Sequence, residues 1–122
     1  MGSYEGGGRE IIMKLLIAGS RSITDFDLAP YIPQNVTEII SGGADGIDTL
    51  AEKYADKHRI SKHIILPEYS KYGKAAPKLR NRVMVDLADA VLVIWDRKSK
   101  GTYSTLIYAQ EKGKDLTIIS VS

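Results

Sequence analysis

The chain has no cysteine. Disulfide staples, zinc sites built on thiolates and thiol nucleophiles are therefore excluded, and a fold of this sequence must be held by its core alone. Long apolar runs are also missing: nothing approaches the roughly 20 residues of a membrane span, and no secretory leader is visible. The sequence predicts a soluble, cytoplasmic protein with no membrane partner. A large charge of one sign is absent too, since 17 basic residues against 15 acidic leave a formal +2. So near a balance supplies no polyanion-binding surface and argues against nucleic acid as a partner. The two histidines and the scattered acids form no ligand cluster, so neither a metal nor a bound cofactor is expected.

What is present fits one globular domain: 122 residues, 43% of them apolar, enough for a single core that buries roughly two-thirds of the unfolded surface. The glycine-rich opening Met1-Gly2-Ser3-Tyr4-Glu5-Gly6-Gly7-Gly8 has the composition of an expression leader, and Met13-Lys14 is a natural start. Residues 1–12 are set aside on that ground, leaving 13–122 as the domain.

Leu15-Leu16-Ile17-Ala18, closed by Gly19, is the short apolar run of a strand buried on both faces of a parallel sheet. Residues 36–40, 62–66, 90–95 and 116–121 repeat the pattern. Between the strands lie helical signals. Thr24 with Asp27 opens a capping box, predicting a short helix that ends near Pro33. Ile47, Leu50, Ala51, Tyr54 and Ala55 recur at helical spacing opposite Glu52, Lys53, Asp56 and Lys57. Pro77 suits the first turn of a further helix, on which Leu79, Val83 and Leu87 form an apolar line with Arg80 and Asn81 beside it. A last helix starts at Gly101-Thr102 and stops at Gly113. Such alternation predicts an α/β, doubly wound, Rossmann-like fold: a parallel five-stranded sheet in three layers, strand order 3-2-1-4-5 in preference to 2-1-3-4-5. Either order brings the loops 19–22, 42–48, 68–74 and 96–105 to the carboxyl edge of the sheet.

The most informative loop is Ser41-Gly42-Gly43-Ala44-Asp45-Gly46-Ile47-Asp48, which follows a strand and opens a helix. Its glycines admit a bulky anion close to the backbone, and the helix start offers unpaired N–H groups. It is neither a dinucleotide G-x-G-x-x-G nor a Walker A loop. The bland alternative is a tight turn in which Asp45 caps the helix and Asp48 completes a capping box. Asp48 competes with phosphate for those N–H groups and is better matched to a ribose hydroxyl. A helix N-terminus contributes roughly 0.3 to 2 kcal/mol to an anion, whereas micromolar affinity needs about 8, so several loops must combine. Arg80 offers a planar phosphate-binding fork, or else is a solvated helix arginine, and the same choice holds for Arg21. Thr102 is either part of a second anion seat or a plain N-cap. Tyr69, Tyr72 and Tyr103 are candidates for stacking a base. His58 and His63 read as structural.

Together, Ala18-Gly19-Ser20-Arg21, the 41–48 stretch, Leu79-Arg80-Asn81-Arg82-Val83-Met84 and Gly101-Thr102 resemble the YspA-related branch of the SLOG superfamily, over nearly the whole chain after Met13. The resemblance implies a Rossmann-like domain that senses or processes a phosphate-bearing nucleotide, such as ADP-ribose, an NAD derivative or a nucleoside monophosphate. It implies that Gly42, Gly43 and Gly46 form the first glycine-rich loop and Gly101-Thr102 the second. Arg80 matches the arginine that the related Lonely-guy phosphoribohydrolases use in catalysis. Where those enzymes carry a glutamate this chain has Thr105, and their Pro-Gly-Gly is replaced by Arg97-Lys98-Ser99-Lys100. The group that would assist loss of the base is thus absent, leaving Asp48, Glu68 or Asp96 as substitutes. DprA/Smf relatives supply a third possibility, a single-stranded DNA-binding module. The candidate catalytic residues are Asp48, Glu68 and Arg80. The candidate ligand-binding set is Gly19, Ser20, Arg21, Gly42, Gly43, Ala44, Gly46, Asp48, Arg80, Asn81, Gly101, Thr102 and Thr105. The family and the apolar Leu106-Ile107-Tyr108 make a homo-oligomer a further expectation.

Overall fold

Short β-branched runs closed by polar or glycine residues become five parallel strands in a computed structural model, which describes residues 11–122. They are β1 (Lys14–Gly19), β2 (Glu38–Ser41), β3 (Ser61–Ile64), β4 (Ala90–Trp95) and β5 (Asp115–Ser120), in the order β3-β2-β1-β4-β5. All neighbours pair in parallel, with Leu16 opposite both Ile40 and Val91 at the sheet centre. The helices are α1 (Ile47–Lys57), a single turn α2 (Tyr69–Tyr72), α3 (Ala76–Leu87) and α4 (Lys100–Glu111). The class is α/β, Rossmann-like and three-layered. Most of the leader lies outside the described residues. No helix among the described residues is long and apolar enough to cross a membrane.

Alternation along the central strands sends side chains to two cores. Leu15, Ile17, Ile39, Leu92 and Ile94 meet Ile47, Ala51 and Ala55 of α1. Leu16, Ala18, Ile40, Val91 and Val93 meet Met84, Val85 and Ala88 of α3 and Leu106 and Ala109 of α4 on the other face. Each large aliphatic side chain so buried contributes roughly 1.5–3 kcal/mol, which is why the central strands are the anchor of the site.

Two expectations need correction. Residues 24–33 form no α-helix; the only helical turn there is a 3-10 turn at Ala29–Tyr31. Pro30 and Pro33 remove backbone donors, and the Asp27 carboxylate accepts the Ala29 N–H at 3.1 Å instead of closing a capping box with Thr24. The segment acts as a strap, laying Ile23, Leu28 and Ile32 over the α1-side core. On α3 the line Leu79, Val83, Leu87 does not face the sheet: Val83 is 47% and Leu87 40% exposed. The inward line is Ala76, Arg80, Met84, Ala88, one residue per turn, so the helix packs on small and flexible side chains and Arg80 is carried under it. Leu106 is core, and Ile107 and Tyr108 are partly buried against that core.

Candidate functional site

The carboxyl edge of β1, β2 and β4 opens onto a cleft of ≈ 440 Å³, within the span of roughly 300–1,000 Å³ usual for small-molecule sites. Its floor is the turn after β2. There the Ser41 hydroxyl accepts the Gly43 N–H at 3.2 Å and donates to Glu52 at 2.8 Å, so the chain folds back and presents Gly42, Gly43 and Ala44 to the cleft. A Cβ on Gly42 would lie 2.9 Å from both Arg80 Nη1 and Asp48 Oδ2. A glycine at this position leaves room for the acid and the base to approach the loop together.

Asp48 is 7% exposed. Its Oδ2 accepts the Ala44 N–H at 3.1 Å, so the carboxylate turns to the glycine loop and makes no capping box with Asp45. Asp45 does not cap either: the N-cap is Gly46, with no side-chain cap bond. Burial pushes the Asp48 carboxyl above its ordinary range; the Ala44 amide and the Arg80 charge pull it back, Glu52 adds to the rise, and the Gly42 amide gives the weakest pull.

Arg80 reaches the cleft from the inward line of α3. Nη1 donates to the Gly42 carbonyl at 2.6 Å and the Ile65 carbonyl at 3.1 Å, while Nε donates to Asn81 Oδ1 at 2.8 Å. Nη2 makes no hydrogen bond among the described residues. Burial lowers the Arg80 pKa, with the attraction of Asp48 and then Tyr69 opposing. The acid and the base are each displaced toward neutrality, so desolvation outweighs their mutual attraction. A charged ligand group that pairs with either one offsets that cost.

The opposite wall is the start of α4. Ser99 is the N-cap: its hydroxyl accepts the Thr102 N–H at 3.3 Å and the Thr102 hydroxyl at 3.0 Å, so Thr102 is not the cap. Gly101, Thr102 and Thr105 line the cleft, Thr105 donating its hydroxyl back to the Gly101 carbonyl at 3.1 Å. Asp96 fixes the approach to this helix. The Ser99 and Lys98 amides, then the Ser22 and Ser20 hydroxyls, hold its carboxyl down to about 2. Arg97 follows at φ 67°, a left-handed conformation that the Asp96 turn imposes.

Of the sequence-derived set, Gly19, Arg21, Gly42, Gly43, Ala44, Asp48, Arg80, Asn81, Gly101, Thr102 and Thr105 all line this one cleft. Ser20 and Gly46 do not. Ser20 is buried behind it, accepting the Asp96 N–H on its hydroxyl at 3.0 Å and the Ile47 N–H on its carbonyl at 3.4 Å. Gly46, at φ +73°, presses on the Ser20 and Arg21 carbonyls, which a Cβ would meet at 2.5 Å. Glu68 and Asp96 also lie outside the lining, so Asp48 is the one carboxylate among the lining residues. Leu66, Pro67 and Tyr69 add an apolar wall, and Pro77, Met84 and Ser99 complete it. Tyr69 was legible as a stacking candidate and Ser99 as a hydroxyl ahead of a helix. Leu66 and Pro67 carried no signal beyond ending a strand. Tyr103 packs on Trp95, His58 on Tyr54, and His63 faces Glu38 at 3.6 Å, all away from the cleft.

Fold and cleft together define a class: a parallel α/β domain with a cleft of small-molecule size at its strand ends, lined by a guanidinium, a buried carboxylate and the start of a helix. Comparison of the chain with family models, curated proteins and solved structures gives no match.

Proposed function

We propose that this cleft binds a phosphate-bearing nucleotide or nucleotide derivative, and that the chain is a sensor or processor of that ligand in the YspA-related branch of the SLOG superfamily, working in the cytoplasm. The observation that carries the reading is the convergence of Arg80 and the α4 N-terminus on one cleft. Arg80 keeps Nη2 without a partner among the described residues while its other nitrogens are locked in place, so the fork is pre-oriented. The first-turn amides and the dipole of α4 favour negative charge on the other side. Leu66, Pro67 and Tyr69 offer a base an apolar wall.

Binding is tested by calorimetry and thermal shift with nucleoside monophosphates, NAD and ADP-ribose. Stabilisation by at least one is expected, and indifference to all of them sinks the proposal. A second reading, hydrolysis of an N-glycosidic or phosphate bond, is favoured by one observation: burial raises Asp48 toward the range useful to a general acid or base. Product formation from the same panel decides between the two. A DNA-binding module is least supported, because the net charge is only +2.

A further inference from the structure

An acid in a cleft that otherwise welcomes an anion requires a separate explanation. Asp48 repels the phosphate that Arg80 attracts, so it must face a different part of the ligand. Its carboxylate has about four acceptor positions, and among the described residues the Ala44 N–H alone donates to it with hydrogen-bond geometry. An ionised carboxylate accepts and cannot donate, so the ligand must bring donors. Position selects which donors. Asp48 Oδ2 and Arg80 Nη1 both lie 2.9 Å from the point where a Gly42 Cβ would stand, so the two groups are neighbours in the cleft. The group one unit away from a nucleotide phosphate is the sugar, and a ribose presents two adjacent hydroxyl donors.

We infer that Asp48 reads the ribose hydroxyls of the ligand and makes the cleft selective for ribonucleotides over deoxyribonucleotides. This rests on the nucleotide reading above and sharpens its substrate class. Asp48 is then a specificity residue: the buried acceptor left unpaired by a deoxy sugar is what rejects it.

The test is calorimetric titration of the full chain with AMP, GMP, CMP and UMP, each against its 2′-deoxy and 3′-deoxy forms, for the wild type and Asp48→Asn. In the wild type, removing a hydroxyl is expected to weaken binding roughly 10- to 100-fold, the scale of a charge-assisted hydrogen bond. In Asp48→Asn the ribo and deoxy affinities are expected to converge to within about threefold, because the charge assistance of the hydroxyl bond is lost and a neutral one remains. Equal wild-type affinity for ribo and deoxy forms overturns the inference while leaving the nucleotide reading intact. So does a ribo preference that persists unchanged in Asp48→Asn. Failure of all four ribonucleotides to bind overturns this inference, whereas the nucleotide reading falls only if NAD and ADP-ribose fail as well. The wild-type comparison needs no variant, so a folding defect in Asp48→Asn does not shield the claim.

Discussion

Two of the helices that begin at the cleft, α1 and α4, use their N-termini in opposite ways. The start of α1 is filled from within: Gly46 is wedged against the Ser20 and Arg21 carbonyls, the Ile47 N–H is bonded to Ser20, and the Asp48 carboxylate occupies the loop that precedes it. The start of α4 is capped by Ser99 and otherwise open, with Gly101 meeting no atom where a Cβ would go. The glycine-rich loop therefore serves close packing and presents a carboxylate. The plainer start of α4 has its Thr102 N–H taken by Ser99 and leaves the Lys100 and Gly101 N–H groups without an acceptor among the described residues. Glycine density in a sequence reports that backbone comes close to something; only the geometry tells whether that something is a ligand or the protein itself.

The comparison breaks first at Gly46. Gly46→Ala places a methyl 2.5 Å from two backbone carbonyls at φ +73°, and neither carbonyl can yield without disturbing β1. A loss of about 3 kcal/mol or more is expected in chemical denaturation. A variant within 1 kcal/mol of wild type would show that the α1 start has slack, and the contrast with α4 would fall.

Arg80 ranks next. Arg80→Ala is expected to weaken phosphate-bearing ligands by about 1 to 3 kcal/mol while leaving ligand fragments without phosphate little changed. Affinity for the phosphate ligand equal to wild type would reduce Arg80 to a brace between Gly42 and Ile65. That structural share is measured by the melting temperature of the ligand-free variant.

Sheet order and class were legible because the central strands are continuous apolar runs of the right length, a signal that survives without tertiary context. The convergence of loops followed from topology alone. The failures share one physical cause: local patterns do not reveal which face a neighbour takes. Leu79, Val83 and Leu87 form the more apolar line of α3, yet the sheet takes Ala76, Met84 and Ala88, because that rotation lets the Arg80 guanidinium reach the Gly42 and Ile65 carbonyls. Thr24 and Asp27 satisfy a capping box on paper, but two prolines ahead prevent the helix it would cap. Asp45 and Asp48 both sit where caps belong, and only the backward turn of the Asp48 carboxylate onto Ala44 separates an ordinary cap from a cleft residue.

A smaller effect concerns pH. The Asp48 pKa is raised in the folded chain, so the folded state binds this proton more tightly than the unfolded one. Its ionised form therefore costs stability above the folded pKa, and that cost disappears as pH falls toward the ordinary carboxylate value. Asp48→Asn keeps an acceptor for the Ala44 N–H and removes the titration. The variant is expected to melt higher than wild type at pH 7, with the gap closing on acidification to about pH 4. A gap that stays constant with pH would place the charge of Asp48 in water and contradict its burial.

The smallest effect, and the one of opposite sign, belongs to Gly101. It lies in the first turn of α4, where no positive φ is recorded and an added Cβ meets nothing. Gly101→Ala therefore removes chain freedom from the unfolded state without a steric cost, stabilising the fold by about 0.5–1 kcal/mol, or about 3 °C in melting temperature. The same methyl stands at the mouth of the helix start, in open space that the proposed ligand would occupy. Phosphate-ligand affinity should consequently fall while the melting temperature rises, the reverse pairing of effects from a packing glycine such as Gly46. A rise in melting temperature with affinity untouched would leave the α4 start open but unused, and the anion would then be held by Arg80 without the helix.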